Sequence, residues 1–155
     1  MTNVILFFYN RAMKIALIAD VHIDKNLAWT QTVWEAFLAK AKQEKADGVV
    51  IAGDLFENLE SAEALRDWLA QTVDKSSFSF VLWVAGNHDL TNPNKDKNSR
   101  SIGLSDLSFG EKIQLFLEPS LYSLEVLEIF LYPFRLDLDD ERFQVWKLAN
   151  EIPQP

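Results

Sequence analysis

The sequence predicts an α/β fold in which a parallel sheet carries a ligand-bearing site along one edge, and three observations predict it. Three continuous apolar runs, Ile15 to Ala19, Val49 to Ala52 and Phe80 to Ala85, read as strands covered on both faces, because apolar side chains at both parities leave neither face for water. Each run ends in a turn rich in ligand atoms: Asp20-Val21-His22-Ile23-Asp24, Gly53-Asp54-Leu55-Phe56-Glu57 and Gly86-Asn87-His88-Asp89. Amphipathic stretches separate the runs, and strand, helix, strand, helix, strand with short links implies parallel strands joined by right-handed crossovers. Ligands bind such sheets beyond the carboxyl ends of the strands, where all three turns fall.

Taken in order, the chain opens on Val4-Ile5-Leu6-Phe7-Phe8-Tyr9, an apolar patch too short to span a bilayer. No basic residue precedes it and no small-residue cleavage site follows, so it makes a poor secretion signal. Met13-Lys14-Ile15-Ala16-Leu17-Ile18 reads as a start running straight into a strand. Residues 1–12 are therefore expected to be an N-terminal extension from an upstream start and 13–155 the domain itself, with an extra edge strand as the rival. Trp29, Val33, Trp34, Phe37, Leu38 and Ala41 recur at helical spacing and predict a helix over Ala28 to Lys45, with Gly48 just past its C-cap. Ser61 is expected to cap a second helix whose inner face carries Leu65, Trp68, Leu69 and Val73. Trp29, Trp34 and Trp68 on helical stripes and Trp83 within a strand are all expected in the core. Leu90 to Ser101 is polar and predicts a loop with Lys95, Lys97 and Arg100 solvated. Ile113 to Leu117 and Val126 to Tyr132 predict a hairpin with Pro119 and Ser120 in its turn. Asp139 or Asp140 is expected to cap a closing helix carrying Phe143, Trp146 and Leu148.

At 155 residues, 48% hydrophobic and 25% charged, the chain fits one soluble domain able to bury a core. Its net charge of -8 excludes a general nucleic-acid-coating surface, which is basic. It does not exclude a nuclease, since bound divalent cations bring positive charge to the site itself. With no cysteine there are neither disulfides nor thiolate ligands, which suits the cytoplasm. Any metal must be held by Asp, Glu, Asn and the two histidines, His22 and His88.

Asp20 and His22 stand two apart on a chain leaving a strand, so both side chains can point to one side and grip one cation. Asp54, from the neighbouring strand end, has two oxygens with which to bridge two cations. Asn87 offers a neutral carbonyl oxygen suited to Mn, Mg or Fe, and imidazole extends the range to Zn. Two cations about 3.5 to 4 Å apart can hold both ends of an in-line phosphoryl displacement. His88 is expected to donate a proton to the leaving oxygen or to steady transition-state charge, and Asp89 to orient its ring.

These three turns, in this order and spacing, resemble the first three motifs of the calcineurin-like metallophosphoesterases. The resemblance implies a sandwich of mixed β-sheets flanked by helices. It implies Asp20, His22 and bridging Asp54 on one divalent ion, Asp54 and Asn87 on a second, and His88 catalytic with Asp89 its partner. Mn is the expected metal, with Mg, Fe or Zn as options. Within the family, Gly53-Asp54-Leu55-Phe56-Glu57 and Leu131-Tyr132-Pro133-Phe134 look most like the SbcD-like nuclease subunits of double-strand-break repair complexes. That match implies a DNA substrate, exonuclease or endonuclease activity, an SMC-like ATPase partner and no membrane attachment. The alternatives are a phosphodiesterase or phosphatase for small molecules, and a non-catalytic domain that binds a partner chain.

The family pattern continues with a lone histidine and a Gly-His-x-His motif, and after His88 this chain has no histidine. The resemblance covers roughly Lys14 to Tyr132, so the chain is expected to be the truncated first half or so of a full domain. One metal would have three protein ligands and the other two, which weakens the second site. A truncated product, a split enzyme completed by a second polypeptide, and a degenerate domain are the competing explanations, the first being preferred because every ligand present is intact.

Overall fold

The computed structural model describes residues 7–10, 13–90, 103–124 and 127–133. β2 (Met13–Ile18), β3 (Gly48–Ala52), β4 (Phe80–Val84) and β5 (Ile113–Phe116) form a parallel sheet in that order, and β1 (Phe7–Asn10) pairs antiparallel on the outside of β2. Helices α1 (Ala28–Gln43) and α2 (Leu59–Asp74) make the crossovers, and β6 (Ser120–Leu124) and β7 (Leu127–Leu131) form a separate antiparallel hairpin. The result is a mixed α/β fold with a parallel sheet flanked by helices, as the three apolar runs predict.

The buried strands alternate their side chains between two apolar clusters. Ala16, Ile18, Val49, Ile51, Val81 and Trp83 join Trp34, Phe37 and Leu38 of α1 and Leu69 and Val73 of α2 in the main core. Ile15, Val50, Phe80, Leu82 and Val84 face the other way and pack against Tyr122, Leu124, Ile129 and Leu131 of the hairpin. Each large side chain so buried stabilises the fold by about 1.5–3 kcal/mol. Among the described residues, no helix is long and apolar enough to cross a membrane.

Several local expectations are corrected. α1 ends in a Schellman turn at Lys45, φ 57, with Ala46 N–H bonding Ala41 O and Lys45 N–H bonding Lys42 O, so Gly48 is not the cap residue. Gly48 instead opens β3, where any Cβ would lie 2.2 Å from the Phe80 ring. The N-cap of α2 is Asn58, whose side chain accepts from Ser61 N–H at 2.9 Å, while Ser61 itself is buried inside the first turn. Trp29 is 62% exposed, and Trp68 is only partly buried, whereas Trp34 and Trp83 are fully enclosed. The expected hairpin is repartnered: β5 joins the main sheet beside β4, and Ser120 begins β6 rather than sitting in a turn. Residues 91–101 of the expected loop and the closing helix with Phe143, Trp146 and Leu148 lie outside the described residues.

Candidate functional site

The turn after β2 alternates buried and outward residues, and that alternation sets the site. Val21 and Ile23 are 5% and 0% exposed, so they anchor the chain in the core and turn Asp20 and His22 together to the other side. The segment is laced to the turn after β3: Asp20 N–H bonds Gly53 O at 3.2 Å, His22 N–H bonds Asp54 O at 3.0 Å and Ile23 N–H bonds Leu55 O at 2.8 Å. Asp20, His22 and Asp54 hold φ of 54, 51 and 49, in the left-handed region that L-residues occupy at a cost of about 1–3 kcal/mol each. Three strained polar residues side by side indicate that their side chains, not their backbone preferences, fix this geometry.

The turn after β4 closes on the same point. Gly86 lies so near Asp54 that a Cβ there would fall 2.2 Å from Asp54 Oδ1, which makes the glycine a requirement of close approach. Asn87–Leu90 is a single helical turn, α3, and His88 N–H donates to Asp54 Oδ1 at 2.9 Å. The candidate ligand atoms of Asp20, His22 and Asp54 all lie within 4.8 Å of one another. Two carboxylates and an imidazole converging in this way are a donor set that fits a divalent cation. Asn87, exposed, shares with Asp54 the wall of a groove of about 690 Å³ that runs between the sheet face at Leu17 and Val50 and the hairpin end at Ile129 and Tyr132.

Asp89 is not where the ring of His88 needs it. It is 1% exposed, and its carboxylate accepts from Gly86 N–H at 2.9 Å, Phe56 N–H at 3.0 Å, Trp83 Nε1–H at 3.2 Å and Leu55 N–H at 3.4 Å. It thereby pins the third turn to the second. Burial pushes its pKa up, against the pull of the bonds from Gly86, Phe56 and Trp83.

The neighbour of the His88 ring is Glu57. His88 Nδ1 stands 3.1 Å from the Glu57 carbonyl, and because a carbonyl can only accept, this contact places the proton on Nδ1 and leaves Nε2 free. The Glu57 carboxylate lies 3.6 Å from His88 Nδ1 and 2.9 Å from His22 Nδ1. The two imidazoles meet edge to face, with centroids 4.7 Å apart. Glu57 was visible in the sequence only as the end of an acidic turn, three residues beyond Asp54. The Ile23–Phe56 bridge between the first two turns, which sets Glu57 beside His22, is what assigns it a place.

Among solved structures, the chain is similar to the nuclease MPE of Pseudomonas putida, at 20% sequence identity and a TM-score of 0.45 over 79% of this chain and 63% of that one. It thus spans less than two thirds of that protein's length. The family model of the calcineurin-like phosphoesterases matches residues 13–152 and so takes in every residue of the three interlocked turns. The chain belongs to the calcineurin-like phosphoesterase family, whose members are dinuclear metal-dependent phosphoesterases.

Proposed function

We propose that this chain carries the metal and proton-transfer residues of a phosphodiester hydrolase. The observation that carries the reading is the convergence of Asp20, His22 and Asp54 to within 4.8 Å, with His88 tied by its own N–H to Asp54. Asp20, His22 and Asp54 would hold one divalent ion, and Asp54 with Asn87 a second. Bound there, such ions neutralise charge on the phosphoryl oxygens and acidify the attacking water, Mn being the preferred metal. The chain's own contribution is positional. Asp54 is fixed by its contact with His88 N–H, and His88 presents Nε2 because Nδ1 is held by the Glu57 carbonyl. With Nδ1–H already committed to that carbonyl, it is the imidazolium form of the ring that carries a second proton, on Nε2, to donate to the leaving oxygen, and its charge steadies developing negative charge.

The expected outcome is Mn-dependent hydrolysis of bis(p-nitrophenyl) phosphate, lost in Asp54→Asn and lowered in kcat by about 10²- to 10⁴-fold in His88→Ala. Hydrolysis that persists in Asp54→Asn would remove the metal centre from the mechanism.

On substrate, the sequence motifs Gly53 to Glu57 and Leu131-Tyr132-Pro133-Phe134 support DNA and a role beside an SMC-like ATPase, and a composition without cysteine suits the cytoplasm. A second reading, a diesterase for small organic esters, is favoured by the net charge of -8 and by the largely apolar groove beside Asp54 and Asn87. Comparing linear duplex DNA with small diesters under the same Mn conditions separates the two. Binding of a partner chain without catalysis is the reading left if neither is cleaved.

A further inference from the structure

Glu57 and the two histidines form a second convergence of donors next to the first. His22, Glu57 and His88 come from three different turns, are each partly exposed, and offer ligand atoms within 4.8 Å of one another. The Glu57 carboxylate faces one ring with each of its oxygens. Glu57 Oε2 lies 2.9 Å from His22 Nδ1, and Glu57 Oε1 lies 3.6 Å from His88 Nδ1. Donors bonded to one cation at about 2.0–2.2 Å stand roughly 3–3.5 Å apart, which these two separations bracket. His22 Nδ1 adds an independent sign. It is a buried atom with no hydrogen-bond partner, although a carboxylate oxygen is 2.9 Å away, so the two groups approach without the alignment that a proton between them would impose.

We propose that His22, Glu57 and His88 form a separate cation site, suited to Zn²⁺, that competes for His22 with the Asp20, His22 and Asp54 set. Two imidazoles and one carboxylate are a zinc donor set, whereas two carboxylates and one imidazole lean toward harder ions. Zinc on Nδ1 of His88 requires that nitrogen without its proton, so the ring carries its hydrogen on Nε2 and gives up its contact with the Glu57 carbonyl. His22 is common to both sets, so filling one depletes the other. The functional consequence, zinc inhibition of Mn-supported hydrolysis, rests on the hydrolase reading; the binding does not.

The chain has two histidines, and both are in this cluster, so imidazole ¹⁵N spectra of the metal-free protein report on the site without interference. One equivalent of Zn²⁺ is expected to shift the Nδ1 resonances of His22 and His88 together. Glu57→Gln should weaken that binding by about tenfold or more. Asp20→Asn, which disables only the competing set, should retain it. A zinc shift confined to His22, with His88 unmoved, would overturn the proposal by locating the ion with Asp20 and Asp54. Equal affinity in Glu57→Gln, or loss of the paired shift in Asp20→Asn, would do the same. Because hydrolysis is not measured, an inactive chain leaves this result standing on its own.

Discussion

At the scale of single residues, the neighbours His88 and Asp89 differ sharply in how much of the fold rests on them. Asp89 satisfies four buried donors from the second and third turns and from Trp83, and all of these would lose that partner if its carboxylate were removed. Each unsatisfied donor costs about 1–3 kcal/mol, so Asp89→Ala is expected to lower unfolding free energy by about 3–5 kcal/mol, the shorter bonds dominating. His88→Ala, with a ring 38% exposed, should cost about 1 kcal/mol or less. Chemical denaturation of both variants checks this, and equal losses would show that Asp89 is not the pin. The sequence puts both residues in one turn, and the structure turns the Asp89 carboxylate to buried donors rather than to the His88 ring. Its donors come from positions 55, 56, 83 and 86, and only the folded proximity of β3 and β4 brings them to one carboxylate. Glu57 likewise takes its place only through a folded contact, the Ile23–Phe56 bridge.

At the scale of elements, legibility follows how local the deciding interaction is. β2, β3 and β4 were readable because burial on both faces writes a continuous apolar run, and α1 and α2 because one buried stripe writes a helical period. β6 was not, since a strand with one solvated face carries Ser120 and Ser123 among its residues and imitates a turn. β5 was recognised as a strand, but its partner is set by pairing with β4 across a long connection that no local pattern encodes. Residue type alone does not mark the end of α1, because Lys45 takes the left-handed cap conformation normally given to glycine. Lys45→Gly is therefore expected to stabilise the protein by about 0.5–1 kcal/mol, relief of the left-handed strain exceeding the added entropy of the unfolded chain. Thermal or urea unfolding measures it, and a loss of stability would mean that the side chain of Lys45 matters more than its backbone.

At the scale of the whole molecule, the sheet works as a press that holds like charges together. Asp20 and Asp54 are forced to within ligand distance by strand pairing and by the Val21 and Ile23 anchors, in a chain that already carries a net charge of -8. Without a cation this arrangement opposes folding twice, through carboxylate repulsion and through left-handed backbone at three of the converging residues. A divalent ion that binds the folded chain and not the unfolded one returns that energy by linkage, about 2.7 kcal/mol at a hundred times its dissociation constant. For a domain of this size, about 1 kcal/mol moves Tm by roughly 2–4 °C, so saturating Mn²⁺ should raise Tm by about 5–10 °C and a chelator should reverse it. Asp54→Asn removes one of the repelling charges and one carboxylate oxygen together. It should therefore unfold at a temperature equal to or above that of the metal-free parent, yet respond little to Mn²⁺. A full Mn²⁺ response in Asp54→Asn would place the stabilising ion elsewhere on the molecule. A metal-free Asp54→Asn less stable than its parent would show that the bond from His88 N–H, and not charge repulsion, governs this corner of the fold.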